Sequence, residues 1–117
     1  MGHIRMNSTV TVRPEKAAEF RQVAKDFVAR VGAEDLGTSS YEYFENADGT
    51  VFRILEIHDG EEAIRTHLAH AEPHTRRFTD AVEKTEIEVC GELSGDLLEE
   101  IESWGAVIYR PLAGFTR

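Results

Sequence analysis

The sequence has few of the features that membrane, secreted or nucleic-acid-binding proteins require. Its one cysteine, Cys90, cannot form an intramolecular disulfide and fits a reducing cytoplasm, where we expect the protein to reside. No apolar run approaches the ~20 residues that cross a bilayer. Basic residues number 13 against 22 acidic ones, and the formal net charge of −9 argues against general binding to nucleic acid or to anionic membranes.

What the chain does contain is the composition of one globular domain. Hydrophobic residues make up 41% and charged residues 30% of 117 residues, and this length can bury a core of its own. No repeat, low-complexity segment or linker divides it. The acidic run from Glu83 to Glu102 is interpreted as a solvated face.

In the first half of the chain, the spacing of apolar residues changes between the two-residue period of a strand and the 3.6-residue period of a helix. Residues 4–13 alternate apolar and polar, which predicts a strand. Pro14 favours the first turn of the helix that follows, and Gly32 predicts its end. Strands are then expected over 39–46 and 50–58, joined by the turn Ala47-Asp48-Gly49.

The second half continues with helices and strands whose ends carry proline, glycine or capping residues. The expected elements are a helix from Asp59 to Pro73, a helix over 73–84, a strand over 85–93, a short helix between Ser94 and Gly105, and an edge strand over 106–112.

This order predicts an α+β fold of the ferredoxin-like, split βαβ type, with an antiparallel sheet. We assign residues 1–93 to that domain, and 94–117 to a C-terminal helix and strand that extend it. Helices on one face leave the other face of the sheet bare, so we expect a homodimer through the sheet face. The segment from Trp104 to Phe115 could reach the partner.

Four of the five histidines lie in one stretch, and this cluster is the chief candidate for chemistry because histidine titrates near neutral pH. They are His58, His67, His70 and His74. His67 falls on the buried side of its helix, where it could be a pocket base or a hydrogen-bonded residue at the core edge. No metal site is expected, because Pro73 interrupts the line of histidines and no H-E-x-x-H or cysteine-rich pattern occurs.

Glu56 lies on a largely apolar strand that we expect to be internal to the sheet. A buried carboxylate needs a partner, and Arg53 points to the opposite face, so the partner must come from elsewhere.

Three segments together resemble the antibiotic biosynthesis monooxygenase (ABM) domain family. They are VTVRPEKAAEF, GTSSYEYFENADG and ILEIHDGEEAIRTHLAH, and the likeness covers roughly the first 90 residues. The resemblance implies a dimeric α+β barrel with a pocket between sheet and helices. Members of the family include cofactor-free oxygenases of phenols and quinols, haem-degrading oxygenases, and an isomerase of a phosphorylated sugar.

Two departures from the family pattern bear on cofactors. His58 stands where tryptophan is common, which makes one pocket wall more polar. His67 and approximately Arg77 stand where the haem-degrading members have tryptophan and the ligand histidine. Haem is therefore disfavoured and no cofactor is expected, although Asn7 matches an asparagine of those members.

The function implied by the resemblance is a cofactor-independent monooxygenase that oxidises a small aromatic phenol or quinol with O2. His67 would be the general base, aided by His58 or Asn7. The candidate substrate-binding residues are Tyr41, Phe52, Glu56, His74 and Arg77. The alternatives are a non-catalytic small-ligand-binding or stress-response dimer, and an isomerase of a small phosphorylated sugar that would bring Arg53 or Arg77 into the pocket.

Overall fold

The computed structural model describes residues 2–117; Met1, with which the predicted domain begins, lies outside them. Its main elements are β1 (Ile4–Val12), α1 (Ala17–Glu34), β2 (Thr38–Glu45), β3 (Val51–His58), α2 (Glu61–Ala71), α3 (Thr75–Ala81), β4 (Val82–Cys90), α4 (Gly95–Ser103) and β5 (Val107–Tyr109), with 3-10 turns at Pro14–Lys16 and Glu72–His74. The strand order is β2-β3-β1-β4-β5; the first four strands are antiparallel and β5 runs parallel to β4 at the edge. The predicted ferredoxin-like α+β fold is confirmed. Among the described helices, none is both long and apolar enough to cross a membrane.

The alternation in β1 decides which residues face the helices. Every second residue from Ile4 to Val12 is buried, and the residues between them are only half-buried. Residues directly opposite in an antiparallel pair share a face. Since Ile4 lies opposite His58, and Met6 opposite Glu56, these two polar residues of β3 also point toward the helices.

The core under the helices has two parts. One surrounds Phe20 of α1, whose ring centroid lies 4.8 Å from that of Phe52 and 5.4 Å from that of Phe78. The other includes Leu97 and Ile101, so the C-terminal helix α4 packs on the same side of the sheet as α1 and α2. Fully burying each such side chain contributes about 1.5–3 kcal/mol, which fixes α4 in place.

Several predicted element boundaries were wrong. β4 and β5 end earlier than predicted, at Cys90 rather than residue 93 and at Tyr109 rather than residue 112. Three other wrong boundaries have a clear physical cause. Gly32 does not end α1, because it keeps helical geometry and the helix runs on to Glu34, where the N–H of Asp35 donates to the Val31 carbonyl. The extra residues carry Asp35 inside, where it is 2% exposed. Asp59 does not cap α2, which begins at Glu61 after Gly60 and has no side-chain cap.

The third wrong boundary separates α3 from β4. The predicted helix over 73–84 stops at Ala81, and β4 begins at Val82 rather than at residue 85. Val82 is extended and pairs with Val12, and the N–H of Arg13 donates to the Ala81 carbonyl. Pairing with the central strand therefore overrides the helical pattern.

The sheet face turned away from the helices is the one predicted to meet a partner. It carries the half-buried Leu55 and Ile57, and the exposed Phe44, Val107 and Tyr109 near its edges. The homodimer stays a prediction. Trp104 itself lies on the helix side, where it lines a cavity. Val107 and Tyr109 of the same C-terminal segment do lie on the bare face, so the expected contact of that segment with a partner also stays a prediction.

Candidate functional site

A cavity of about 410 Å³ lies between the sheet and the helices. Strands β1 to β4 form its floor, and α1, the α2–α3 junction and α4 supply walls. Most of the lining is apolar or aromatic, as is typical of small-molecule sites. The polar residues that matter for chemistry are Ser8, Tyr41, Tyr43 and Glu56 on the floor.

Glu56 is buried in this floor and is held by two histidines. The Nε2 atom of His58 lies 2.8 Å from Glu56 Oε1, and the Nε2 atom of His67 lies 3.5 Å from the same oxygen. His58 is fully buried, and its Nδ1 atom is 2.9 Å from the Thr38 hydroxyl oxygen. A buried carboxylate is costly without such partners, and these rings supply the partner that the sequence required.

Asp35 holds His67 from the other side. Its Oδ2 atom lies 2.8 Å from His67 Nδ1, and its Oδ1 atom accepts a short hydrogen bond from His70 Nδ1. Burial alone would raise the pKa of Asp35, but the hydrogen bonds from His70 and His67 outweigh it and hold that pKa below its usual value. Asp35 is therefore a carboxylate at neutral pH. We call Glu56, His58, His67, Asp35 and His70 the carboxylate–histidine network.

The contacts of His67 indicate which of its ring nitrogens carries a hydrogen, and they leave one position, between His67 and Glu56, for a shared proton. A carboxylate only accepts hydrogen bonds, so Asp35 requires the hydrogen of His67 to lie on Nδ1. A neutral His67 would then turn the lone pair of Nε2 toward Glu56 Oε1, 3.5 Å away, and the two acceptors would repel. A proton between Glu56 and His67 would remove this repulsion, so the geometry suits a proton shared by these two atoms.

Two tyrosine hydroxyls stand beside this proton site. The Tyr41 and Tyr43 oxygens are 2.9 Å apart, and the Tyr41 ring meets His67 edge to face at 5.4 Å. Burial, together with the charges of Tyr43 and Glu56, raises the pKa of Tyr41 far above its usual value; burial likewise raises the pKa of Tyr43. Both hydroxyls stay protonated at neutral pH, so the pair can donate a hydrogen bond into the cavity.

The structure brings together His58, His67, Glu56 and Tyr41 from the predicted site residues. The geometry of His67 differs from the expected one, because both of its ring nitrogens face carboxylates and the side chain does not itself line the cavity. Glu56 does line it. A ligand in the cavity could therefore contact Glu56 directly but not His67.

Four predicted site residues lie elsewhere. Asn7 points to the opposite face, between Leu55 and Glu88, because its neighbours in β1 face the helices. Phe52 is buried in the Phe20 core rather than in the cavity wall.

The other two are His74 and Arg77, on or beside α3. His74 is half-buried against the Phe27 ring, with centroids 6.1 Å apart. Arg77 is exposed and pairs with Asp26 at 2.8 Å, which lowers the pKa of that carboxyl. Neither lines the cavity.

Several functional residues were missed in the sequence. Tyr43 could have been found, because period two places it beside Tyr41. Asp35 and Thr38 sit in or next to a loop, and nothing local signals that tertiary packing buries them against the histidines. Trp104 and Glu100 come from the C-terminal extension, which closes the cavity on the α4 side.

The same network contains the set of side chains best arranged to hold a cation. One ligand atom each of Glu56, His58 and His67 lies within 4.8 Å of the others. This set differs from His67, His70 and His74, the line of histidines that the sequence analysis considered as a metal site. In the structure His58 is hydrogen-bonded to Glu56, and His67 lies 3.5 Å from the same carboxylate oxygen, so the arrangement also suits proton transfer.

The charged residues that line the cavity are all acidic. Glu56, Glu72 and Glu100 contribute to it, and no lysine or arginine does so among residues 2–117. Arg53, proposed for a phosphate site, is exposed on the opposite sheet face. An isomerase of a phosphorylated sugar would need basic residues here, so the site does not support that alternative.

Comparisons with known proteins agree with this architecture. Residues 3–84 match the profile of the antibiotic biosynthesis monooxygenase family. MupZ from Pseudomonas fluorescens superposes with a TM-score of 0.88 at 13% identity; the match covers 100% of this chain and 96% of MupZ, so the C-terminal helix and strand belong to the shared fold. A Caulobacter crescentus CB15 protein assigned to the antibiotic biosynthesis monooxygenases gives a TM-score of 0.70 at 26% identity, covering 75% of this chain and 87% of that one.

A third similar structure is Rv0793 from Mycobacterium tuberculosis, with a TM-score of 0.69 at 19% identity over 81% of this chain and 99% of that one. A comparison with curated proteins found no significant relative.

Proposed function

Because the chain belongs to the antibiotic biosynthesis monooxygenase family, we propose that it oxidises a small aromatic phenol or quinol with O2 and without a cofactor, and that Glu56 accepts the substrate's hydroxyl proton. The observation that carries the proposal is the position of Glu56: a buried carboxylate in the floor of an otherwise largely apolar cavity, supported by two histidines. A general base has to lie within hydrogen-bond reach of the proton that it abstracts.

The reaction begins with proton transfer from the phenol to Glu56, and His67 shares the proton. The resulting phenolate is electron-rich and gives one electron to O2; superoxide and the phenoxyl radical then combine at the ring carbon para to the oxygen. The peroxide anion that forms takes the proton back from Glu56. The O–O bond of the resulting hydroperoxide then breaks, and the departing hydroxide leaves with the ring hydrogen as water, which gives a quinone. In sum, one phenol and one O2 give one quinone and one water, and the substrate supplies all the electrons.

The tyrosine pair and the apolar walls support the charged intermediates. A hydrogen bond from Tyr41 or Tyr43 would stabilise the phenolate oxygen, and donors fixed in advance are effective because they need not reorganise during the reaction. Asp35 keeps His67 in one orientation, so we assign His67 and Asp35 positioning roles and reserve the catalytic role for Glu56.

Oxygen uptake tests the proposal directly. Purified protein is given a panel of naphthols and alkylated phenols in an oxygen electrode, with quinone formation followed by absorbance. We expect uptake above the protein-free rate for at least one phenol, with one O2 consumed per quinone. Absence of uptake for the whole panel would contradict the proposal and favour the binding-module alternative.

One specific observation favours a second candidate, an oxygen-independent isomerase of an uncharged substrate. The Glu56–His67 pair can return the proton that it takes up, as an isomerase requires. In anaerobic D2O such an enzyme would exchange a hydrogen next to a carbonyl group for deuterium. The proposed monooxygenase would show no such exchange on its phenol.

We also propose that two copies pair through the bare sheet face. Leu55 and Ile57 form an apolar strip at its centre, and Arg53 and Glu86 supply opposite charges around it. A self-complementary patch of this kind suits a two-fold dimer. The cavity lies on the other side of the sheet, so each protomer would keep a complete site.

A further inference from the structure

The cavity has an aromatic wall that lies outside the part of the chain matching the family profile. That profile ends at residue 84, whereas Trp104 follows α4. Trp104 lines the cavity and is 41% exposed. It is the only tryptophan in the chain.

The position of Trp104 is fixed by the helix that precedes it. Leu97 and Ile101 of α4 are buried in the core, and the N–H of Trp104 donates to the Ile101 carbonyl at 3.1 Å. A large, rigid aromatic ring that is partly open to a cavity gains more contact area when a flat ligand covers it. On the α1–α3 side, Phe27 and Phe78 also line the cavity, with their rings stacked at 6.4 Å.

The charges around the cavity indicate which ligands it accepts. Glu72 and Glu100 line it together with Glu56, and both are exposed at the α2–α3 junction and on α4. Arg65 borders the neighbouring groove, but its guanidinium pairs with Glu62. Among residues 2–117, the lining therefore offers an anionic ligand carboxylates but no cation. Like charges repel, and the repulsion from Glu72 and Glu100 is modest because both are exposed to solvent.

Arg30 is a basic residue whose positive charge could offset the negative charge of the cavity lining. Its Cζ atom lies 5.3 Å from the centre of the Phe27 ring. Both terminal nitrogens are buried and have no hydrogen-bond partner, and Arg30 is not part of the cavity lining. Its charge partly offsets the rise in the pKa values of Tyr41 and Tyr43, but its guanidinium does not line the cavity, so the charged groups in the lining are Glu56, Glu72 and Glu100.

We propose that the cavity is selective for uncharged planar aromatic ligands, with Trp104 as the stacking wall and Glu72 and Glu100 rejecting anions. The inference rests on the proposed function for the aromatic class of the substrate. It goes further in excluding aromatic acids and in assigning specificity to the C-terminal helix.

Calorimetric titration under anaerobic conditions tests the inference without turnover. The probes are 2-naphthol and 6-hydroxy-2-naphthoate, which share a ring system and differ by one carboxylate. We expect 2-naphthol to bind at least about tenfold more tightly than the naphthoate. A tenfold difference in Kd corresponds to about 1.4 kcal/mol, which is the size of a modest repulsion between like charges. The double variant E72Q/E100Q should bring the two affinities closer, and Glu99→Gln, an exposed neighbour on α4, should leave their ratio unchanged.

Variants of Trp104 test the stacking. Trp104→Ala should weaken 2-naphthol binding by about tenfold, and Trp104→Phe, which keeps an aromatic face, should weaken it much less. Circular dichroism checks that both variants fold. Equal or tighter binding of the naphthoate, unchanged binding in Trp104→Ala, or no binding of 2-naphthol would each overturn the inference. Selective binding without oxygen uptake would refute only the proposed oxidation, and oxygen uptake with an unselective cavity would refute only this inference.

Discussion

The Nε2 atom of His67 lies 3.5 Å from Glu56 Oε1, on the side of the ring opposite the one bound to Asp35. At this separation Glu56 and His67 could share a proton that Glu56 accepts from a ligand. Glu56 is the member that meets the cavity, so the pair delivers its chemistry through a carboxylate rather than through an imidazole.

Asp35→Asn is expected to destabilise the protein. The substitution removes the charge that accepts hydrogen bonds from His67 and His70 and leaves buried groups poorly matched, which costs about 1–3 kcal/mol of unfolding free energy. Urea denaturation measures the loss. Asp48→Asn, in the exposed hairpin turn, is the matched control and should change stability little; equal stability of the Asp35 variant and wild type would refute the role of Asp35.

Stability should fall in acid because of the same residue. The pKa of Asp35 in the folded protein is lower than its ordinary value of 3.8, so folding favours the ionised form. The resulting stability is present above pH 3.8 and is lost as the pH falls below it toward the lowered pKa. Denaturation at a series of pH values should show a shallower acid decline for Asp35→Asn than for wild type, and parallel curves would contradict this assignment.

Activity is expected to survive removal of metal. In the proposed reaction the substrate provides the electrons, so dialysis against a chelator should leave oxygen uptake unchanged. Uptake lost on chelation and restored by one divalent ion would instead make Glu56, His58 and His67 a catalytic metal centre, since their ligand atoms lie close enough to share an ion. Metal analysis of the dialysed protein serves as the control.

The sheet-face dimer should dissociate when Leu55 is replaced by arginine. Two copies of the new charge would lie near the centre of the apolar strip, where they would repel each other and lose apolar burial. Light scattering after gel filtration reports the mass. Ala18→Arg, on the exposed side of α1, should remain dimeric, whereas a wild-type protein that is monomeric at high concentration would rule out the interface.

The periodic patterns of the sequence sufficed for the fold but not for the site. Strict alternation in β1 identified which residues face the helices, and it also explains why Asn7 is not in the cavity despite its match to a family asparagine. The prediction that α1 ends at Gly32 failed because a glycine can stay helical when the residues after it become buried. Here the residue that becomes buried is Asp35.

The site depended on contacts between distant segments. His58 is fully buried and its Nδ1 atom lies 2.9 Å from the Thr38 hydroxyl oxygen, a contact that no local pattern in the sequence encodes. The need of Glu56 for a partner was predictable from its place on an apolar strand; the identity of the partners was not. The place of Trp104 in the cavity wall was not predictable, because it depends on the packing of α4 against the core.

The measurement that tests the central claim most directly is the oxygen-uptake kcat/KM of Glu56→Gln with a phenol that wild type oxidises. Glutamine keeps the shape of the side chain but cannot accept the proton, so we predict a loss of about 10²–10⁴-fold, with Glu15→Gln at the surface close to wild type. A folded Glu56→Gln variant that oxidises the phenol at the wild-type rate would contradict the account.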